Sequence, residues 1–139
     1  MAHFLTMVLI EPGITTRAAL AEERMYPFFA GDLGDAPDAQ CDGFNMGGRY
    51  DGDIWGKEQH HSLTPAEYQA RYGLDVVQPI DNIRPVAALR PGLIPYAVVT
   101  PDGRWHDCEG KDDSVWVEEW IALLAAYDDH QAVAIDCHC

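Results

Sequence analysis

Gln131-Ala132-Val133-Ala134-Ile135-Asp136-Cys137-His138-Cys139 is the stretch around which the rest of the chain is arranged. It is free of Gly and Pro and β-branched at Val133 and Ile135, so it reads as a strand whose alternate residues face opposite ways. Val133, Ile135, Cys137 and Cys139 make an apolar set suited to a core. Ala132, Ala134, Asp136 and His138 make a second set, small enough for another segment to come close and ending in a carboxylate and an imidazole. Candidate chemistry therefore gathers around Asp136 and His138.

Immediately before this strand, residues 114–127 read as a helix. Trp116, Trp120, Leu123, Leu124 and Tyr127, joined by Val117 and Ile121, fall at helical spacing and form a broad apolar face. Asp112, Asp113, Glu118 and Glu119 lie in or near the first turns, where the helix dipole favours negative charge. Further back, Pro101-Asp102-Gly103 is a tight-turn sequence, so residues 94–100 and 104–108 are expected to pair as a β-hairpin.

At the other end, His3 to Ile10 is a mostly apolar run closed by Glu11-Pro12-Gly13, a buried strand followed by a turn. Thr15 or Thr16 is placed to cap a helix over residues 17–25, which Pro27 stops. The ordered elements thus run β-α-β-β-α-β around an irregular insertion of about residues 30–92. The expectation is an α+β, ferredoxin-like βαββαβ sheet in a single domain spanning residues 1–139, with both helices on one face and the insertion on the other. That topology sets the first strand beside the last and the third, and allows His3, His106, Asp136 and His138 to converge on the open face.

The insertion carries its own signals. Thr64-Pro65-Ala66-Glu67 is a capping box that starts a short helix ending near Tyr72, with Gly73 as its stop. Between Leu74 and Leu89, residues such as Val76, Val77, Ile80, Ile83 and Val86 require burial. In Cys41-Asp42-Gly43-Phe44-Asn45-Met46-Gly47-Gly48-Arg49-Tyr50-Asp51-Gly52, four glycines mark backbone that takes positive φ or is closely approached, and Arg49 projects from their midst. A plain turn is the favoured account of this stretch, because there is no Gly-x-Gly-x-x-Gly and no Gly-Lys-Ser/Thr phosphate loop. No cofactor signature is present.

At 139 residues and 47% apolar or aromatic, the chain can close one core. Its 23 acidic residues against nine basic ones, a net charge of −14, oppose nucleic acid and anionic membrane as direct partners and leave basic surfaces, cations or small molecules. Acidity for solubility alone is the plain alternative. Met1 to Ile10 lacks a basic prefix and a small-residue cleavage site and is too short to span a bilayer, so the expected location is cytoplasmic with reduced thiols. Cys108 with Cys137-His138-Cys139 invites a zinc reading. Neighbouring positions on a strand point to opposite faces and C-x₂-C spacing is absent, so buried thiols are expected and no metal. His60 and His61 are read as solvated.

The chain resembles a family of small, mostly uncharacterised proteins of bacteriophages and bacterial mobile elements. The likeness is carried by Met1-Ala2-His3-Phe4, Tyr26-Pro27-Phe28, Cys41 to Tyr50, Ile94-Pro95-Tyr96-Ala97-Val98-Val99-Thr100-Pro101-Asp102-Gly103-Arg104-Trp105-His106 and Asp136-Cys137-His138. Gly43 and Tyr50 depart from it, where relatives carry an aromatic residue after the motif's Asp and a Trp after its Gly-Gly-Arg. The resemblance implies a phage or mobile-element origin and no reaction.

Two functions lead the expectations, with an immunity-type or other interaction protein as a third. One is an acidic inhibitor of a host defence or nucleic-acid-processing complex, such as an anti-CRISPR acting on a CRISPR effector in the host cytosol, with Asp102, Asp107, Glu109, Asp112 and Asp113 meeting a basic surface. The other is a small-ligand binder or enzyme in which Arg49, with Gly47 and Gly48, holds an anionic group. There His138, oriented by Asp136, serves as general base or acid with His106 nearby. An internal ion pair from Arg49 to Asp42 or Asp136 would instead only pin the insertion to the sheet.

Overall fold

The fold is known from a computed structural model, and the structure describes residues 2–30, 38–57, 63–73, 79–90 and 92–139. His60, His61 and the Leu74–Val77 part of the apolar run lie outside them.

Eight-residue β1 (His3–Ile10) pairs antiparallel along its whole length with β6 (Gln131–His138), from His3 opposite His138 to Ile10 opposite Gln131. The other edge of β6 is shared by two short strands of the insertion. β2 (Gly43–Met46) pairs with residues 135–138, and β3 (Ile83–Pro85) with residues 131–133. On the far side of β1, β4 (Ala97–Val99) runs parallel to it and forms the expected hairpin with β5 (Trp105–Asp107). The result is a six-stranded mixed sheet ordered β2-β6-β1-β4-β5, with β3 also on β6.

The β-α-β-β-α-β succession holds once the insertion is set aside, but the strand order differs from the ferredoxin-like expectation. A ferredoxin-like sheet would put the second hairpin strand, β5, antiparallel against β1; here the first, β4, lies there in parallel. The long insertion makes this path possible. It lets the chain leave β1, run along the outer edge of β6 as β2 and β3, and return across the sheet to start β4 in the direction of β1.

The same route places the helices on opposite faces rather than on one. Ala21 and Met25 of α1 (Arg17–Met25) pack on Val8, Ile10, Val133, Ile135 and Cys137. Trp116 and Trp120 of α3 (Asp113–Ala126) pack on Leu5, Met7, Leu9, Val98, Ala132 and Ala134, together with Ile54 and Val86 of the insertion. The insertion accordingly divides between the two layers, since Cys41 joins the α1 side. Ile54 and Val86 of its other part share the α3-side core with Ala132 and Ala134, whose small side chains leave space on that face of β6. Both indole N–H groups of α3 reach backbone carbonyls before β4, Trp116 to Pro95 at 2.7 Å and Trp120 to Leu93 at 3.2 Å.

Local signals act as their chemistry requires, with two adjustments. Thr64 caps α2 (Pro65–Tyr72): its hydroxyl accepts from Glu67 N and donates to the Glu67 carboxylate, and Gly73 closes the helix at φ 62°. Thr16 stands at the start of α1, yet its side chain makes no capping bond. In the hairpin turn, Gly103 takes φ 83° and the Thr100 hydroxyl bonds to Asp102.

Candidate functional site

Period-2 alternation along β6 delivers Asp136 to the face shared by α3 and the insertion, where its residue surface is only 3% exposed. A buried carboxylate is tolerated when donors surround it. His3 Nδ1 lies 2.9 Å from Oδ1 and 3.1 Å from Oδ2, and the backbone N–H of Arg49 donates to Oδ2 at 2.9 Å. His138, directly opposite His3 in the register, sets its ring 5.3 Å from that of His3. The four residues come from β1, β6 and the segment after β2, so the site forms only when the insertion is docked.

The glycines are what allow this approach. A Cβ at Gly43 would stand 2.7 Å from Nε2 of His138, whose ring lies over it. At Gly48, with φ 51°, a Cβ would stand 2.6 Å from the Cβ of Asp136. Gly47 makes room for Asn82, a buried amide whose Oδ1 accepts from Gly52 N at 2.9 Å and whose Nδ2 donates to Asp51 at 2.6 Å. The glycine-rich stretch thus clears space for side chains of the same chain, in a conformation that Gly adopts without steric cost.

Placement of the candidates departs from the sequence expectation in three respects. Arg49 meets Asp136 through its backbone N–H, and its exposed guanidinium bonds to neither Asp136 nor Asp42 among the described residues. His106 does not converge with the others. It sits opposite Val98, which is opposite Met7, four residues along β1 from His3, or about 16 Å away on ordinary strand dimensions. Its Nε2 lies 3.1 Å from the Thr100 hydroxyl instead. The imidazole that Asp136 orients is His3 rather than His138. His138 Nδ1 is buried without a hydrogen-bond partner, with Asp42 Oδ1 3.5 Å off, inside ion-pair range but outside bonding geometry. The signal for His3 was available in its alternation with Leu5, Met7 and Leu9, which assigns it to the Asp136 face.

A carboxylate accepts only, so Nδ1 of His3 is the donor in this contact, and in a neutral imidazole that leaves Nε2 as an acceptor. The His3 side chain, 24% exposed against 4% for Asp136, borders two open clefts. One, of about 330 Å³, is also lined by Phe4, Tyr96, Trp105, Glu109 and Cys139; the other, of about 370 Å³, by Tyr50, Asp53, Leu93, Ile94 and Tyr96. Desolvation, then the nearby Asp136 charge, pushes the Tyr50 phenol up; desolvation followed by Glu109 and Asp107 does the same for Tyr96. Both hydroxyls therefore stay protonated near neutral pH and can donate. Neither cleft reaches Arg49, His106 or His138.

The acidic candidates separate as well. Asp107 is occupied inside the hairpin, accepting from Trp105 Nε1 at 2.8 Å and Glu109 N at 3.0 Å, and Asp102 bonds to Thr100. Glu109, Asp112 and Asp113 lie in a continuously exposed run from Glu109 to Val115, with no bond to their carboxylates among the described residues. Cys137 belongs to the α1-side core and Cys108 packs against the α3-side core, so they do not share a metal site. Among the described residues no helix is long and apolar enough to cross a membrane. Compared with protein-family models, curated proteins and solved structures, the chain has no significant match.

Proposed function

We propose that the protein acts by binding, as an acidic inhibitor that covers a basic surface of a host defence or nucleic-acid-processing complex. The observation that carries this reading is the exposed run at the start of α3, where Glu109, Asp112 and Asp113 project on a chain of net charge −14. Such a surface attracts a Lys/Arg-lined groove at long range and competes with the phosphates that groove is built to hold. A cytosolic, phage-encoded inhibitor of anti-CRISPR type is the corresponding biological role. The test measures RNA-guided DNA cleavage by purified CRISPR effector complexes with the parent protein and with a Glu109→Gln/Asp112→Asn/Asp113→Asn variant whose circular dichroism is unchanged. Inhibition by the parent that falls with added salt and is lost in the variant supports the reading. Equal inhibition by both proteins, or none by either, overturns it for these complexes.

A second reading, a small-ligand binder or enzyme, is favoured by the Asp136-oriented imidazole of His3 bordering two clefts. It differs from the expected constellation in using His3, with Tyr50 and Tyr96, in place of Arg49, His106 and His138. Its test is a thermal-shift screen against a metabolite library: a hit abolished by His3→Gln but not by the triple acid variant supports it, and a hit insensitive to His3→Gln opposes it.

A further inference from the structure

Helix α3 has apolar residues around its whole circumference, and the core uses only part of them. Trp116 and Trp120 are buried, whereas Val115 is 44% and Ile121 58% exposed, with Ala122 and Ala125 exposed beside them. A helix lying on a protein surface ordinarily turns a polar face outward. Here the outward face is an aliphatic strip with acids around it: Asp112 and Asp113 before it, Glu118 within it and Asp128 beyond its end, all exposed. From Asp112 to Asp129 there is no Lys or Arg. The nearest cation in sequence, Lys111, is turned to the Asp107 carbonyl at 2.8 Å and the Glu119 carboxylate at 2.9 Å.

This distribution selects the occupant. A second copy packed on the strip, parallel or antiparallel, would bring acidic ends against acidic ends on two chains of −14 each. A segment with aliphatic side chains flanked by Lys or Arg satisfies both the strip and its acidic margins. We infer that the outer face of α3 docks a basic amphipathic helix of the partner protein, its apolar anchors lying on Val115, Ile121 and Ala125 and its cations toward Asp112, Asp113, Glu118 and Asp128. This rests on the proposed binding function and specifies the surface that performs it.

The probe is an 18-residue Leu/Lys helix with one apolar face, compared with an all-lysine peptide of equal length, each titrated into isotopically labelled full-length protein. The Leu/Lys helix is expected to shift amides of residues 113–126. A Val115→Ser/Ile121→Ser variant should bind it about tenfold more weakly while binding the all-lysine peptide unchanged. Shifts centred elsewhere, or equal affinity of parent and variant for the Leu/Lys helix, overturn the inference. In that case salt-sensitive binding of the all-lysine peptide, lost on neutralising Glu109, Asp112 and Asp113, leaves the acidic-surface reading standing, and its absence removes that as well. A parent dimer that the double variant dissociates would assign the strip to a second copy instead.

Discussion

His3 and Asp136, 133 positions apart in the chain, meet at 2.9 Å across the β1–β6 pairing, and the same carboxylate accepts the backbone N–H of Arg49. One buried group therefore ties the first strand, the last strand and the insertion together. The contact therefore has a structural role.

Asp136→Ala leaves the Nδ1–H of His3 and the Arg49 N–H without their acceptor. Each stranded donor costs about 1–3 kcal/mol where water does not reach it. The expected outcome is a fall in stability of about 1–3 kcal/mol in urea unfolding, mainly from the Arg49 N–H, since the His3 side chain is 24% exposed and borders open clefts. An unchanged midpoint would show that water or another group satisfies both donors.

Gly48→Ala is expected to destabilise more than Gly92→Ala. The first adds a Cβ at φ 51° against a buried side chain, and the second adds one with nothing within 4 Å and no positive φ. A penalty above about 1 kcal/mol is expected at Gly48, because the backbone preference and the overlap act together. Thermal unfolding of the two variants under identical conditions compares them directly.

On α3, Trp120→Ala should cost about 3–5 kcal/mol through the cavity it opens, and Ile121→Ala less than about 0.5 kcal/mol. Trp120 is 1% exposed and its neighbour 58%. Similar losses from the two substitutions would mean that the helix is rotated about its axis so that Ile121 also faces the core.

Much of the fold was legible because its signals are local. Alternation in residues 131–138, the Pro-Asp-Gly turn, the Thr64 cap and the Trp116/Trp120 spacing each needs only neighbours in sequence to be read. Strand order was not, since β4 and β5 are three-residue strands that carry no mark of which one lies against β1. That choice depends on the path of the insertion, a matter of tertiary packing. Within the site, Asp136 was legible from its place on β6 and the glycine stretch from its composition. The role of Arg49 was not, because a backbone N–H leaves no trace in residue type, whereas the charge of the side chain points to the guanidinium. Periodicity assigns Ile121 inward, and its exposure shows that an apolar residue at helical spacing does not by itself identify the buried face.

The thiols should react in order of exposure. Cys139 is exposed and Cys108 intermediate, while Cys41 and Cys137 are buried side by side. The neighbouring Cys41 thiol, followed by burial, pushes Cys137 far above the usual thiol range, so it holds its proton and is a poor nucleophile. Titration with a disulfide reagent at pH 8 should modify Cys139 rapidly and Cys137 only after denaturant is added. Rapid modification of Cys137 in the native protein, located by peptide mapping, would contradict the packing around β6.

Acid should weaken the contact between α1 and the end of β1 in a defined window. Arg24 grips Glu11 with two bonds, 2.6 Å and 2.7 Å, and donates to the Leu9 carbonyl at 2.9 Å. The side-chain bond from Arg24 is the largest influence on the Glu11 carboxyl, holding it below its usual 4.5. A carboxylate depressed by folding contributes its stability in full above its unfolded pKa and loses it as pH falls through the lower folded value. Glu11 is 40% exposed, so solvent screens the pair and its contribution is of the order of 0.2–1 kcal/mol. Glu11→Gln should therefore lower the thermal midpoint slightly at pH 7. The gap between variant and parent should narrow below pH 4.5 and close once the parent's carboxyl is protonated. A gap that stayed constant from pH 7 to pH 3 would assign the effect to packing of the side chain rather than to its charge.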